Sequence, residues 1–102
     1  EFGSVGLREH ECREAGRGIR VGRFPFRALG KAHAAGEIAG LVKVIADART
    51  DRILGAHLIG PGASDLVHEL ATAMEAGLTA GQVAAAIHAH PTLSEAVLEA
   101  CE

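Results

Sequence analysis

Two residues near the C-terminus have the types and spacing of an acid–base pair. His90 stands directly before Pro91, and Glu95 follows five residues later, within IHAHPTLSEAVLEA (87–100). A proline disfavours the helical region for the residue before it, which holds His90 extended, and the His-Pro bond is one that can be cis. A rigid backbone fixes where the imidazole points, as general acid–base catalysis requires. A carboxylate that accepts the proton of one ring nitrogen selects the tautomer, raises the ring's basicity and leaves the other nitrogen for substrate. The same residues also fit a plainer arrangement. Thr92 and Glu95 have T-x-x-E capping-box spacing, in which Glu95 reaches back to the Thr92 N–H and His90 is a loop residue held by turn geometry. Spacing alone leaves both open.

Other side chains give less. His88 and His90 form an H-x-H whose rings point the same way in an extended segment, but no Cys/His/Asp cluster stands at suitable spacing to complete a metal site. His10 and His33 lie in polar surroundings and read as solvated. His57 falls inside a strand and reads as a partly buried, hydrogen-bonded ring. His68 sits on a polar helix face with Asp65 and Thr72 one turn away. Cys12 and Cys101 lie at opposite ends of the chain, a spacing that makes neither a CxxC redox pair nor a zinc knuckle, so two reduced thiols are expected. No G-x-S-x-G elbow is present, and GPGASD (60–65) lacks the lysine of a phosphate-binding loop. A His–Glu pair without a nucleophile or nucleotide turn is half of a site.

The positioning elements follow from composition and pattern. The chain has 102 residues, 48% of them apolar, with three Phe and no Trp or Tyr, so one domain with an aliphatic core is expected. A net charge of −3 offers no basic footprint for nucleic acid. No apolar run approaches the ~20 residues of a membrane span, no signal-peptide pattern opens the chain, and a cytoplasmic protein is expected. Residues 7–15 read as a short helix ended by Gly16. IRVGRFPFRA reads as a strand that is an edge or ends at Pro25, and LGKAHAAGE as an irregular connection. GLVKVIADA and RILGAHLIG, joined by the polar RTDR, read as an antiparallel hairpin. Both faces are rather apolar, so cover on more than one side is expected.

Three helices follow. The first buries Leu66, Leu70 and Ala73 with Val67, Ala71 and Met74, exposes Asp65, His68, Thr72 and Glu75, and ends at Gly77. The second begins with Thr79 and Gln82 in capping-box spacing. The last carries an apolar stripe of Leu93, Val97, Ala100 and Cys101. Strands followed by helices predict an α+β fold, an antiparallel sheet with helices packed on one side.

HAHPTLSEA (88–96) resembles the C-terminal signature of the dihydrolipoamide dehydrogenase family of flavoprotein disulfide oxidoreductases. SVGLRE (4–9), RFPFRALGKA (23–32), GLVKVIAD (40–47), RILGAHLIGPGASDLVHE (52–69) and AMEAGLTAGQVAAAIHAHPTLSEAV (73–97) follow in that family's order. The resemblance covers nearly the whole chain and corresponds to the family's C-terminal dimerisation domain. It implies a single interface domain over 1–102, with the FAD- and NAD-binding domains outside this chain, no cofactor in the chain itself, and no metal.

The resemblance also implies a mechanism. His90 is the acid/base and Glu95 its orienting carboxylate, supplied in trans to a partner subunit's disulfide/FAD site in a homodimer that oxidises dihydrolipoamide with NAD. A 2-oxo acid dehydrogenase complex is an implied partner, and the isolated chain is expected to be inactive. The alternatives are the interface domain of a glutathione-reductase-like enzyme, a pure self-association module, or a small stand-alone enzyme or metal protein using His88, His90 and Glu95. One departure is Leu7-Arg8, where family members often have Thr or Ser, which costs the first helix an N-cap.

Overall fold

The computed structural model describes residues 1–25, 40–60, 62–86 and 94–102. Among these residues four strands and four helices run in the order β1 (Phe2–Gly6), α1 (Glu9–Glu14), β2 (Ile19–Pro25), β3 (Leu41–Asp47), β4 (Ile53–Ile59), α2 (Ala63–Glu75), α3 (Ala80–Ala85) and α4 (Glu95–Cys101). The strands form one antiparallel sheet in the order β1-β4-β3-β2. The expected hairpin is its centre, with Val42 opposite Leu58 and Val44 opposite Ala56. β2 lies at an edge and its pairing stops at Pro25, opposite Leu41, as a residue without a backbone N–H dictates. The connection read from LGKAHAAGE lies outside the described residues.

Strand alternation gives the sheet two unlike faces. On one, Val42, Val44, Ala46, Ile53, Ala56 and Leu58 are buried against Val67, Leu70 and Ala73 of α2, Ala80 and Val83 of α3, and Val97, Ala100 and Cys101 of α4. These are the helices expected on one side. Of the predicted α2 stripe, Val67, Leu70 and Ala73 are buried and Leu66, Ala71 and Met74 half-buried, with Asp65, His68, Thr72 and Glu75 exposed as expected. The other face carries Ile45, which is fully buried outside that core cluster. Here α1 supplies the cover: its Glu9 reaches Lys43, and the Leu7 carbonyl oxygen lies 2.9 Å from His57 Nε2. Both apolar faces of the hairpin are therefore used.

Helix ends follow local chemistry. Gly16 and Gly77 have φ of 72°, and each closes its helix with paired 6→1 and 5→2 bonds: Arg17 N to Cys12 O and Gly16 N to Arg13 O for α1, Leu78 N to Ala73 O and Gly77 N to Met74 O for α2. Thr79 and Gln82 make the expected reciprocal box, at 3.1 and 2.8 Å. At α1, where Leu7-Arg8 offers no hydroxyl, the Arg8 N–H donates to Glu11 Oε1 at 2.8 Å, so half of a box is made without a Ser or Thr.

Helix α4 sits on β2 and β3 through a close backbone approach. A Cβ on Gly22 would fall on the Ala100 carbonyl, whereas one on Gly18 would meet Ala48 Cβ at an ordinary 3.6 Å. Gly22→Ala is therefore expected to destabilise the chain by about 1–3 kcal/mol, the usual cost of overpacking. Gly18→Ala should stay within about 0.5 kcal/mol of the parent. Urea denaturation of the two variants measures the difference, and equal midpoints would contradict the packing described.

Candidate functional site

Of the His90–Glu95 pair, Glu95 is described and His90 is not; His88, Pro91, Thr92 and Leu93 also lie outside the described residues. Glu95 is half-buried at the start of α4. At the start of the described helix the Ser94 carbonyl accepts from the Val97 N–H at 3.0 Å and from the Leu98 N–H at 3.3 Å. Glu95 is the first residue of the described helix, with Ser94 before it; the Thr92–Glu95 capping box expected from the sequence involves Thr92, which lies outside the described residues. An acidic side chain in that first turn is favoured by the helix dipole.

The seating of α4 fixes the backbone of Glu95. Ala96 and Val97 are fully buried directly after it, and Ala100 and Cys101 follow at 4% and 3% exposure. On the outer side of the helix the Glu99 carboxyl is pushed up by its side-chain hydrogen bond with Glu102, by desolvation and by the charges of Glu102 and Glu95. The element before the His90 segment is tied down separately. Asp51 Oδ2 accepts from the Gly81 N–H at 2.8 Å, the Asp51 carbonyl accepts from the Ala80 N–H at 2.9 Å, and Asp51 Oδ1 pairs with Arg20. The hairpin turn thereby holds the start of α3, and residues 87–93 run in sequence from α3 to α4.

Both thiols are unbridged and buried, on opposite faces: Cys101 in the main core and Cys12 in α1 outside it. Burial, and then the charge of Glu69, push the Cys101 thiol up to about 12. It stays protonated at neutral pH and is a poor nucleophile, because the thiolate is the reactive form. Among the described residues no group of three or more His, Cys, Asp or Glu could hold a metal ion, and no helix is long and apolar enough to cross a membrane.

Two arrangements were missed by spacing arguments. His57 is held from both ring nitrogens: Nδ1 lies 2.6 Å from Ser4 Oγ and Nε2 lies 2.9 Å from the Leu7 carbonyl. That carbonyl can only accept, so Nε2 carries the proton and, in the neutral ring, Nδ1 accepts from the serine. The hydrogen-bonded ring was foreseen; its partners, 50 and 53 residues away, were not. The second is Glu9, which pairs with Arg13, with Lys43 at 2.6 Å and with Arg23 at 3.1 Å. Only Arg13 was legible, as an i,i+4 neighbour.

The comparisons with known proteins agree with this architecture. The family described as pyridine nucleotide-disulphide oxidoreductase, dimerisation domain, matches residues 1–101, and the chain belongs to that family. It is similar to dihydrolipoyl dehydrogenases: 47% identical over 102 residues to that of Thermus scotoductus, covering 100% of this chain and 22% of that protein. Against the Bacillus subtilis dihydrolipoyl dehydrogenase it is 48% identical over 100 residues, 98% of this chain and 21% of that protein. Among solved structures, the HOCl-induced flavoprotein disulfide reductase RclA from Escherichia coli superposes with a TM-score of 0.92 at 30% identity, over 98% of this chain and 23% of that one. The chain thus spans about a fifth of the length of the relatives it matches.

The electrostatics of the α1 face predict acid sensitivity. Hydrogen bonds from Lys43 and Arg13 lower the Glu9 carboxyl from 4.5 to about 2. The Thr50 and Arg49 N–H groups, with Arg17, lower Asp47 from 3.8 to about 2. Both titrate lower in the folded protein than in the unfolded chain, so their contribution to stability is complete above the ordinary carboxylate range. It is lost as pH falls towards 2. The thermal midpoint should drop across that window, and Glu9→Gln should flatten the drop. An unchanged slope in the variant, measured at low salt where exposed pairs are least screened, would show that Glu9 does not carry it.

Proposed function

We propose that the chain is the interface domain of a longer dihydrolipoamide dehydrogenase. In this reading it holds two subunits together and supplies His90 and Glu95 in trans to the partner's disulfide site. The observation that carries it is near-half identity, over the whole chain, to proteins named dihydrolipoyl dehydrogenase. The sequence HAHPTLSE supports it further, as does the firm seating of α4, which places Glu95 at a defined point of a packed helix.

The chemistry assigned to this chain is proton transfer. His90 takes a proton from a thiol of dihydrolipoamide, and the resulting thiolate is the nucleophile towards the partner subunit's redox disulfide. Glu95 accepts a hydrogen bond from the N–H of the other ring nitrogen, which keeps the tautomer and strengthens the base. The buried, protonated Cys101 and the buried Cys12 suit a division in which the disulfide lies outside residues 1–102. No residue of this chain is assigned to FAD or NAD, which in the longer protein would accept the electrons. A 2-oxo acid dehydrogenase complex is the proposed larger partner.

Two measurements test this. In the full-length parent, His90→Gln should lower turnover by about 100-fold or more while the dimer persists, and Glu95→Gln should lower it less. Turnover within a few-fold of the parent would leave the domain a self-association module alone. Sedimentation equilibrium of the 102-residue chain should give a colourless homodimer, and a monomer at high micromolar concentration would refute dimerisation by this domain unaided.

A further inference from the structure

Among the described residues α1 is the helix on the face of the sheet turned away from α2, α3 and α4, and beside it lies a groove of about 460 Å³. That volume falls within the ~300–1,000 Å³ range of small-molecule pockets. Its apolar lining residue is Phe2, 61% exposed, and next to the groove Ile59, 55% exposed, stands directly opposite Phe2 across the β1–β4 pair. The other side is cationic, lined by Arg8, Arg13 and Lys43 around a single carboxylate, Glu9. In a chain whose net charge is −3, three cations against one acid make this groove electropositive.

Glu9 organises the cations more than it cancels them. It fixes Lys43 at 2.6 Å and pairs with Arg13, while Arg23 closes on its Oε1 at 3.1 Å from outside the groove. Each bond to Glu9 engages one of three ammonium protons or one guanidinium nitrogen, so the groove's donor capacity exceeds what one carboxylate takes. The bonds from Lys43 and Arg13 lower the Glu9 carboxyl to about 2. His57 lines the groove with both ring nitrogens already engaged, by Ser4 and the Leu7 carbonyl, and so serves as wall and not as donor.

We propose that this groove binds a small organic anion that joins a phosphate to a flat aromatic ring, the chemistry of a nucleoside monophosphate. Guanidinium forks and an ammonium group match a dianionic phosphate in geometry and charge. The exposed Phe2 ring beside Ile59 gives the ligand's ring a surface on which to stack. The inference is independent of His90 and Glu95 and stands or falls without them.

The test is a titration of the isotope-labelled chain with adenosine monophosphate, with inorganic phosphate and with adenosine, read from backbone amide resonances. The nucleotide should shift residues of α1, Lys43 and His57 saturably and bind at least about tenfold more tightly than either half, and salt should weaken it. Phe2→Ala and Arg8→Ala, both at exposed positions outside the core, should each weaken it several-fold. The proposal is overturned if no saturable shifts occur, if they centre elsewhere, if inorganic phosphate binds as tightly as the nucleotide, or if both variants bind it like the parent chain.

Discussion

The backbone of α4 lies so near the backbone of β2 that the Ala100 carbonyl occupies the space a side chain at position 22 would fill. Because that approach is backbone on backbone, it sets the height of α4 above the sheet more tightly than flexible side chains could. Val97 then drops into the core at full burial, Ala100 and Cys101 close the end, and Glu95 is left half-buried at the start of the same short helix. A seven-residue helix has little stability of its own, so its position comes from tertiary packing. The orientation of any group at its N-terminus inherits the quality of that fit.

The segment before α4 is anchored from the other side. Asp51 occupies the left-handed region at φ 65°, unusual for a residue with a side chain though Asp is among those that tolerate it. There its carboxylate and carbonyl both face the first turn of α3. One hairpin turn thus performs two tasks, reversing the chain between β3 and β4 and holding the helix that leads towards residues 87–93. Two anchors, on α3 and on α4, bracket the His-Pro segment of the sequence.

The sheet divides the molecule by chemistry as well as by space. One face is a dry aliphatic core of Val, Leu, Ile and Ala, consistent with a chain that has no Trp or Tyr. The other is organised by charge around Glu9 and by the two hydrogen bonds of His57. Exposed ion pairs individually contribute little to stability. Their effect here is to fix where cations stand, which makes that face a surface of defined charge beside exposed Phe2 and Ile59.

Much of the architecture was written in local pattern. Alternation at 41–47 and 53–59, Pro25 at a strand end, glycines at 16 and 77 and the Thr79–Gln82 box each depend on residues a few positions apart, so the chain itself dictates them. The residue types proposed as an acid–base pair, His90 beside Pro91 and Glu95 beyond it, can likewise be read from the sequence. What pattern could not reach were relations across the fold: Lys43 finding Glu9 from 34 positions away, Ser4 meeting His57, Asp51 holding Gly81, and Ala100 resting on Gly22. Local propensity and side-chain periodicity belong to the sequence. Which distant groups face each other, and at what height a helix rests on a sheet, belong to the packing of all the elements at once.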